Sequence, residues 1–402
     1  MALSSEILTD EEAIISLTAL WGEFEAPPPT CTLFLSPGYQ RVWRELFAEG
    51  ARPGLAVARE RSELVGLMPL MFSTAWRKPT MHARFDSHPR DVRHLGRPGR
   101  WRILPVRQAT PCLRLESFDL RGGFLTIPGA DRFRVLRSLL EALSHRPRWD
   151  VGIFPVADSE VRLWVQAASD SGLRILVRSL SRRFYWLEGV PDWQGLMARA
   201  SHNFRKSSKR GERRVAEAGL EVRRFDGPEL LTEGLVRLED VAARSWKANP
   251  GNAEVSVPWS RRQSHLYRRL AEEPGAGIEL VIVALIDGDA TKAAASSLRR
   301  RDLMVGGVTF FDPEISHLSP GRSLMRAFFE WGMAHGVSRY DFNATDPWCE
   351  PYANRTATYC QVLLFTSRLY SAVLARLARG MDPGAPDKTT AAWPAGLPEH
   401  VG

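Results

Sequence analysis

At 402 residues the chain is long enough for two or more domains, and 44% hydrophobic with 25% charged residues is ordinary for a globular protein able to bury sizeable cores. The formal charge of +8 rests mainly on arginine, since only six of the 54 basic residues are lysine; this favours phosphate or carboxylate partners over bulk nucleic-acid coating, although coding bias yields the same composition. No run of about 18 apolar residues occurs, and the stretch from Met1 to Glu12 is acidic without an apolar segment, so neither a membrane span nor a secretion signal is expected and a cytoplasmic location is. Cys31, Cys112, Cys349 and Cys360 are scattered without a Cys-x-x-Cys pair. Free thiols are expected, with no metal site and no disulfide framework.

In chain order, the pattern predicts a helix from Glu6 to Leu20, a rigid break at Pro27 to Pro29, and a second helix from Pro37 to Glu49 started by Ser36. A hairpin follows, from Leu55 to Arg59 and Leu64 to Phe72. Residues 73–112 have no clear period and read as loops with short strands. The stretch from Phe118 to Ile127 is strand-like around Gly122-Gly123, then come a helix from Ala130 to Ser144, a strand from Trp149 to Pro155, a helix from Ser159 to Ser171 and an extended run from Leu173 to Leu187. Gly189, Pro191 and Asp192 break both periods, which sets a boundary between domains at 1–190 and 191–380.

The second half opens with helices from Trp193 to Ala200 and from Asn203 to Ala218, followed by a strand from Leu220 to Phe225 and a helix from Pro228 to Trp246. A further helix spans Trp259 to Glu273, and a hairpin turns at Asp287-Gly288-Asp289 between strands from Ile278 to Ile286 and from Ala290 to Arg300. The tail, 381–402, is rich in Pro, Gly and Ala and is expected to be disordered. Residues 344–380 are given no elements.

One stretch organises this half. Leu303, Val305, Val308, Phe310 and Phe311 surround Gly306-Gly307, which suits a strand approached closely by other backbone. Ser319 is placed to cap a helix begun by Pro320; Leu324, Ala327, Phe328 and Trp331 keep helical spacing, and Gly336 is placed to end the helix in a left-handed turn. A short strand from Val337 to Phe342 follows. A glycine-lined turn opening a helix leaves unpaired N–H groups backed by the helix dipole, so Ser319, Gly321 and Arg322 form a candidate anion site; an ordinary capped helix fits the same residues. Arg205, Lys206, Lys209, Arg210, Arg213 and Arg214 gather on one broad helical face, either solvated or anion-binding. Trp246 and Lys247, before Asn249-Pro250-Gly251-Asn252, are candidates to line an acceptor pocket, or else to end a helix.

The two halves echo each other. Gly122-Gly123 and Gly306-Gly307 are each followed by an apolar helix and a strand with an aromatic-Asp pair, Trp149-Asp150 and Tyr340-Asp341. A duplicated fold would place the anion site in the second copy.

At this point the chain resembles the CelD/BcsL-like branch of the GNAT acetyltransferase superfamily, related to the Fem-type aminoacyl transferases. The resemblance covers roughly residues 30 to 370. It rests on the strand Leu67-Met68-Pro69-Leu70, the basic helix around Asn203 to Arg214, Ser245-Trp246-Lys247, Leu318-Ser319-Pro320-Gly321-Arg322 and Tyr340-Asp341-Phe342. The family continues from Asp-Phe into a Gly-containing segment and a Tyr-Lys pair, whereas this chain has Asn343-Ala344-Thr345-Asp346 and Tyr352-Ala353, so the lysine is absent. The resemblance implies an α/β fold of two tandem GNAT-like domains, each a mixed, mainly antiparallel twisted sheet flanked by helices. It implies acyl-CoA as co-substrate, with no permanently bound cofactor. The CoA pyrophosphate would lie at Ser319, Gly321 and Arg322, with Arg205, Lys209 and Arg210 as further phosphate ligands.

Acyl transfer needs a base and an acid. Asp341 is the candidate base and Tyr352 the candidate acid, with Trp246, Lys247 and Asn343 toward the acceptor. As a strand-end residue Asp341 equally suits a turn cap, and Tyr352 a packed loop anchor. Three functions follow: an acyltransferase using an acyl-CoA or carrier-protein thioester on an amine or hydroxyl of a saccharide, envelope precursor or metabolite; a Fem-like transferase drawing on aminoacyl-tRNA, although the long inserted helical hairpin of typical Fem enzymes is lacking; or a non-catalytic partner protein. DNA is not expected as a partner.

Overall fold

The computed structural model describes residues 3–24, 33–47, 51–77, 104–110, 123–146, 149–248, 259, 261–273, 277–344 and 347–380. The calls at Pro27 to Pro29, Cys31, Cys112, Gly122 and the tail lie outside these residues.

Period-two apolar runs in the first half become β1 (Ser4–Leu8), β2 (Arg52–Glu60), β3 (Glu63–Arg77), β4 (Leu104–Thr110), β5 (Leu125–Thr126), β6 (Val151–Ala157) and β7 (Arg174–Glu188). Its helices are α1 (Glu11–Ser16), α2 (Thr18–Trp21), α3 (Pro37–Phe47), α4 (Arg132–His145) and α5 (Val161–Asp170). In the second half lie α6 (Trp193–Arg199), α7 (His202–Glu217), β8 (Glu221–Phe225), α8 (Leu235–Arg244), α9 (Arg261–Glu272), β9 (Glu279–Asp287), β10 (Ala290–Arg300), β11 (Leu303–Phe311), α10 (Pro320–Ala334), β12 (Arg339–Asp341), β13 (Arg355–Phe365) and α11 (Leu369–Gly380).

The predicted opening helix is corrected. Its first residues form β1, an edge strand antiparallel to β2 with Glu6 opposite Val57, and helix begins only at Glu11. Asp10 decides this boundary, because its carboxylate accepts the Ala13 N–H at 2.9 Å and so caps the helix there. The helix predicted from Pro228 is also modified, since Leu230–Gly234 form a π turn before α8 begins. Gly336 ends α10 as expected, with φ of 76° and the Val337 N–H donating to the Gly332 carbonyl at 2.8 Å.

All thirteen strands belong to one sheet, in the order β1-β2-β3-β4-β6-β13-β7-β12-β11-β10-β9-β8, with β5 beside β3. Each half contains one parallel pair, β4 with β6 and β11 with β12, joined through α4 and α10 respectively. The duplication is therefore topological, and the proposed residue match fails. By pairing, β4 is the counterpart of β11, whereas Leu125–Thr126 pair with β3. Asp150 precedes β6 and holds Arg107 at 2.7 Å, while Asp341 closes β12.

The middle of the sheet is an exchange. β7, from the first half, lies against β12 through Arg339 and Glu188, and β13, from the second, runs between β6 and β7. The largest apolar cluster likewise draws Trp43 and Leu67 from one half and Tyr267 and Phe310 from the other. Ion pairs Arg41–Glu273 at 2.6 Å and Arg269–Glu45 at 2.9 Å join α3 to α9 across the same boundary.

Candidate active site

β11 is the floor of the site. It pairs with β10 from Leu303 to Phe311, but with β12 only from Leu303 to Val305, because β12 stops at Asp341. Beyond Val305 the second edge of β11 has no strand partner among the described residues. The Val308 N–H donates to Ser296 Oγ at 3.0 Å and the Asp312 N–H to the Lys292 carbonyl at 2.8 Å, both toward β10. Alternation along a strand then turns the peptide groups of Thr309 and Phe311 to the open side.

The two central glycines are required by close approach. A Cβ on Gly306 would lie 2.7 Å from the Phe342 carbonyl oxygen, and one on Gly307 would meet Ser296 Oγ and, at 2.5 Å, the Tyr267 hydroxyl. Gly307 and Val308 together oppose Ser296, since Ala295 faces Thr309 and Ser297 faces Gly306: a β-bulge. Ser296 donates to Tyr267 Oη at 3.1 Å, and burial pushes the Tyr267 phenol up to about 12.

The N-terminus of α10 differs from those of its neighbours. Asp131, Asp192 and Ser201 close α4, α6 and α7, accepting the N–H groups of Arg134, Gly195 and Phe204. Ser319 occupies the cap position of α10 but has φ 58° and ψ 52°, and its hydroxyl makes no cap bond. The reason is conformational: a capping side chain is aimed at the first turn by extended backbone, not by a left-handed residue. Around Gly321 the space is open: apart from its chain neighbours and its own helix backbone, no heavy atom of the described residues lies within 4 Å of where a Cβ would stand. One turn on, Ser323 Oγ is buried with no hydrogen-bond partner among the described residues.

α7 crosses α10 on the face made by Phe204, Ser208, Gly211 and Val215. Its Gly211 faces the loop, where a Cβ would lie 3.6 Å from the Leu318 carbonyl oxygen and 3.8 Å from Ser319 Cβ. That is ordinary contact, so Gly211→Ala is expected to stabilise the protein by up to about 1 kcal/mol through helix propensity, read as a rise in the urea midpoint. Arg214 donates to the His317 carbonyl at 3.0 Å.

Two predicted phosphate ligands have other work. Arg322 turns back onto α7, donating to Ser207 Oγ with its guanidinium 5.3 Å over the Phe204 ring. Arg205 donates to the carbonyls of Met197, Ala198 and, at 2.8 Å, Ala200, so it closes the end of α6. Lys209 and Arg210 are exposed.

Asp341, 7% exposed, stands where β11 and β12 part, and its Oδ1 accepts the Asn343 N–H at 2.8 Å. Asn343 adopts φ 49° and donates to the Gly306 carbonyl at 3.4 Å, bracing the turn to the strand. Lys247 reaches the open edge of β11, donating from Nζ to the Thr309 carbonyl at 2.9 Å with Phe310 below it. Trp246 begins a short 3-10 turn, and its side chain lies outside the described residues. Tyr352 is 3% exposed and packs against Phe204, Phe329, Phe342 and Trp348. Burial raises its phenol pKa, which keeps the hydroxyl protonated at neutral pH.

Sequence reasoning missed Trp348, which is 48% exposed at the rim and set edge-on to Phe342 at 6.2 Å. No periodicity marks a single aromatic in a short turn. It also missed the bulge, for which the adjacent glycines were the one visible signal. Cys349 and Cys360 are buried free thiols. Among the described residues no cluster of three or more His, Cys, Asp or Glu is placed to hold a metal, and no helix is long and apolar enough to cross a membrane.

A sheet whose two halves each end in a diverging parallel pair bridged by a helix is a tandem GNAT-like fold. Comparison with known proteins agrees: residues 202–353 match the family described as "Acetyltransferase (GNAT) domain". That span contains α7, the uncapped end of α10, Asp341 and Tyr352, and it gives the protein a GNAT-type acyltransferase domain. No curated protein matches the sequence. Among solved structures, FemX is similar over 93% of this chain and 100% of its own, at 12% identity and a TM-score of 0.59. A conserved protein of unknown function from Bacteroides thetaiotaomicron VPI-5482 is similar over 90% of this chain and 99% of its own, at 11% identity and a TM-score of 0.53. At these identities the likeness concerns the fold alone.

Proposed function

We propose that the protein transfers an acyl group from a pantetheine thioester, acyl-CoA in the simplest case, to an amine or hydroxyl of a saccharide, envelope precursor or metabolite. The observation that carries this reading is the open edge of β11 lying beside an uncapped helix N-terminus, with a base-bearing strand end between them. Donor phosphates would be held at the first turn of α10 by the Gly321 N–H, since Pro320 has no N–H and the Arg322 N–H donates to the Ser319 carbonyl at 3.1 Å; the helix dipole favours negative charge there. A pantetheine arm carries amides, and an extended amide chain laid along β11 meets the outward Thr309 N–H and the peptide group of Phe311 as an added strand would, beside the Thr309 carbonyl that Lys247 holds.

Asp341 is the proposed base. It takes the proton from the acceptor as the acceptor attacks the thioester carbonyl; the C–S bond then breaks and the leaving thiolate takes a proton from the Tyr352 phenol. Asn343 and Lys247 flank that edge as the proposed acceptor contacts. Among the described residues of the first half, 1–190, the corresponding helix end is closed by Asp131, so we assign the donor site to the second half, 191–380. Membership of the CelD/BcsL-like branch and a cytoplasmic location belong to the same reading.

Gly321→Glu tests it by placing a carboxylate over the first turn of α10. Calorimetric titration with CoA and acetyl-CoA should show affinity at least tenfold weaker, equivalent to about 1.4 kcal/mol or more. Unchanged affinity would remove the loop as the donor site.

A further inference from the structure

We propose that the outward face of α7 is a docking surface for an acidic carrier protein that delivers the acyl group on a phosphopantetheine arm. This deepens the donor reading above and rests on it.

The fold divides the basic residues of α7 into two sets. Arg205 closes α6 and Arg214 holds the His317 carbonyl, so both contribute to packing. Lys206, Lys209, Arg210 and Arg213 are exposed and contribute nothing comparable. Among the described residues, Lys206, Lys209 and Arg210 have no hydrogen bond or ion pair. Arg213 meets Glu217 at 3.3 Å in a pair whose side chains are 71% and 64% exposed, a geometry that holds little energy. Glu212, the other acid of α7, is taken by Arg326 at 2.6 Å.

These four cations stand at positions i, i+3, i+4 and i+7, a straight stripe about 10 Å long. Like charges at such spacings cost roughly 0.2–0.5 kcal/mol per pair in an isolated helix, so the stripe weakens the free protein slightly and gains from an anionic partner. Its opposite face is packed on α10 by Phe204, Ser208, Gly211 and Val215, which holds the stripe in a fixed position across α7 from the uncapped helix end.

The shape of the patch selects the partner. Free CoA would bring its pyrophosphate to the end of α10, leaving a row along a second helix without a counterpart. Acids at the same helical spacing on a partner helix would complement the whole row. A nucleic acid is less suited, because the aromatic residue of α7 is Phe204, which is buried, and the face offers no ring on which a base could stack. A carrier docked there would lead its phosphate past Gly321 and its arm onto β11.

The test uses the full-length protein, an acyl carrier protein in apo and holo forms, CoA and bulk tRNA. The variant Lys206→Glu/Arg213→Gln alters both ends of the stripe and leaves in place Lys209 and Arg210, the two exposed residues expected to hold CoA phosphate. Wild-type protein should bind both carrier forms, more weakly as salt rises. The variant should lose at least tenfold in affinity for both forms, keep its CoA affinity within twofold and unfold at no lower temperature. Absence of carrier binding by the wild type, unchanged carrier binding by the variant, an equal loss of CoA affinity, or a loss seen only with tRNA would each overturn the proposal. Because apo carrier lacks the arm, its binding reads the stripe alone. If Gly321→Glu leaves CoA binding intact while the stripe still binds apo carrier, the donor reading fails and the docking surface stands.

Discussion

Asp341→Asn is expected to lower turnover by about 10²- to 10⁴-fold while leaving donor affinity nearly intact, the usual contribution of a positioned base. The substitution is chosen for what it preserves. Asp341 accepts the Asn343 N–H through Oδ1, and an asparagine side-chain oxygen can accept the same bond, so the turn that Asn343 braces against Gly306 should survive. Turnover is read as thiol released from acetyl-CoA against a panel of amine and saccharide acceptors, with the urea midpoint measured in parallel. A rate within about twofold of wild type would eliminate Asp341 as the base. A loss of stability matching the loss of rate would assign it to the turn, as a strand-end cap.

Gly306→Ala should lower both stability and donor affinity. Its new Cβ would stand 2.7 Å from the Phe342 carbonyl oxygen, and both sides of that contact are backbone, so relief requires β11 and the turn after β12 to move apart. Forced overpacking of this kind costs about 1–3 kcal/mol. Because the same approach forms the mouth of the open edge, CoA affinity should fall with stability. Gly211→Ala is the internal control, differing only in that its Cβ meets ordinary contacts. Equal midpoints for wild type and Gly306→Ala would show that the approach of β11 to Phe342 is looser than described.

Much of the second half was legible because its elements carry strong local signals. Pro320 begins α10 and Gly336 ends it, as expected of their types. The adjacent glycines of β11 correctly marked a close approach of backbone, although the sequence does not say to what. Other local signals misled. Ser319 has the right type at the right position for a cap, but the 3-10 turn before it delivers it in a left-handed conformation that removes the side-chain bond. Glu6 and Ile7 fit a helical period, yet pairing with β2 claims them for an edge strand. The arginines were misread for a related reason. Arg205 and Arg322 were counted as free positive charge, and each is spent on a neighbour fixed only when α6, α7 and α10 come together.

By itself the sequence determined the alternation of strands and helices, the glycine and proline punctuation around β11 and α10, and the excess of cations along α7, because each depends on residues a few positions apart. Tertiary structure alone decided the exchange of β7 and β13 between the halves, which couples residues nearly two hundred positions apart and has no local signature. It also decided where β12 stops relative to β11, and hence which peptide groups remain open. Strand register is set by what lies across the sheet, and an unpaired edge exists only once every other edge has found its partner.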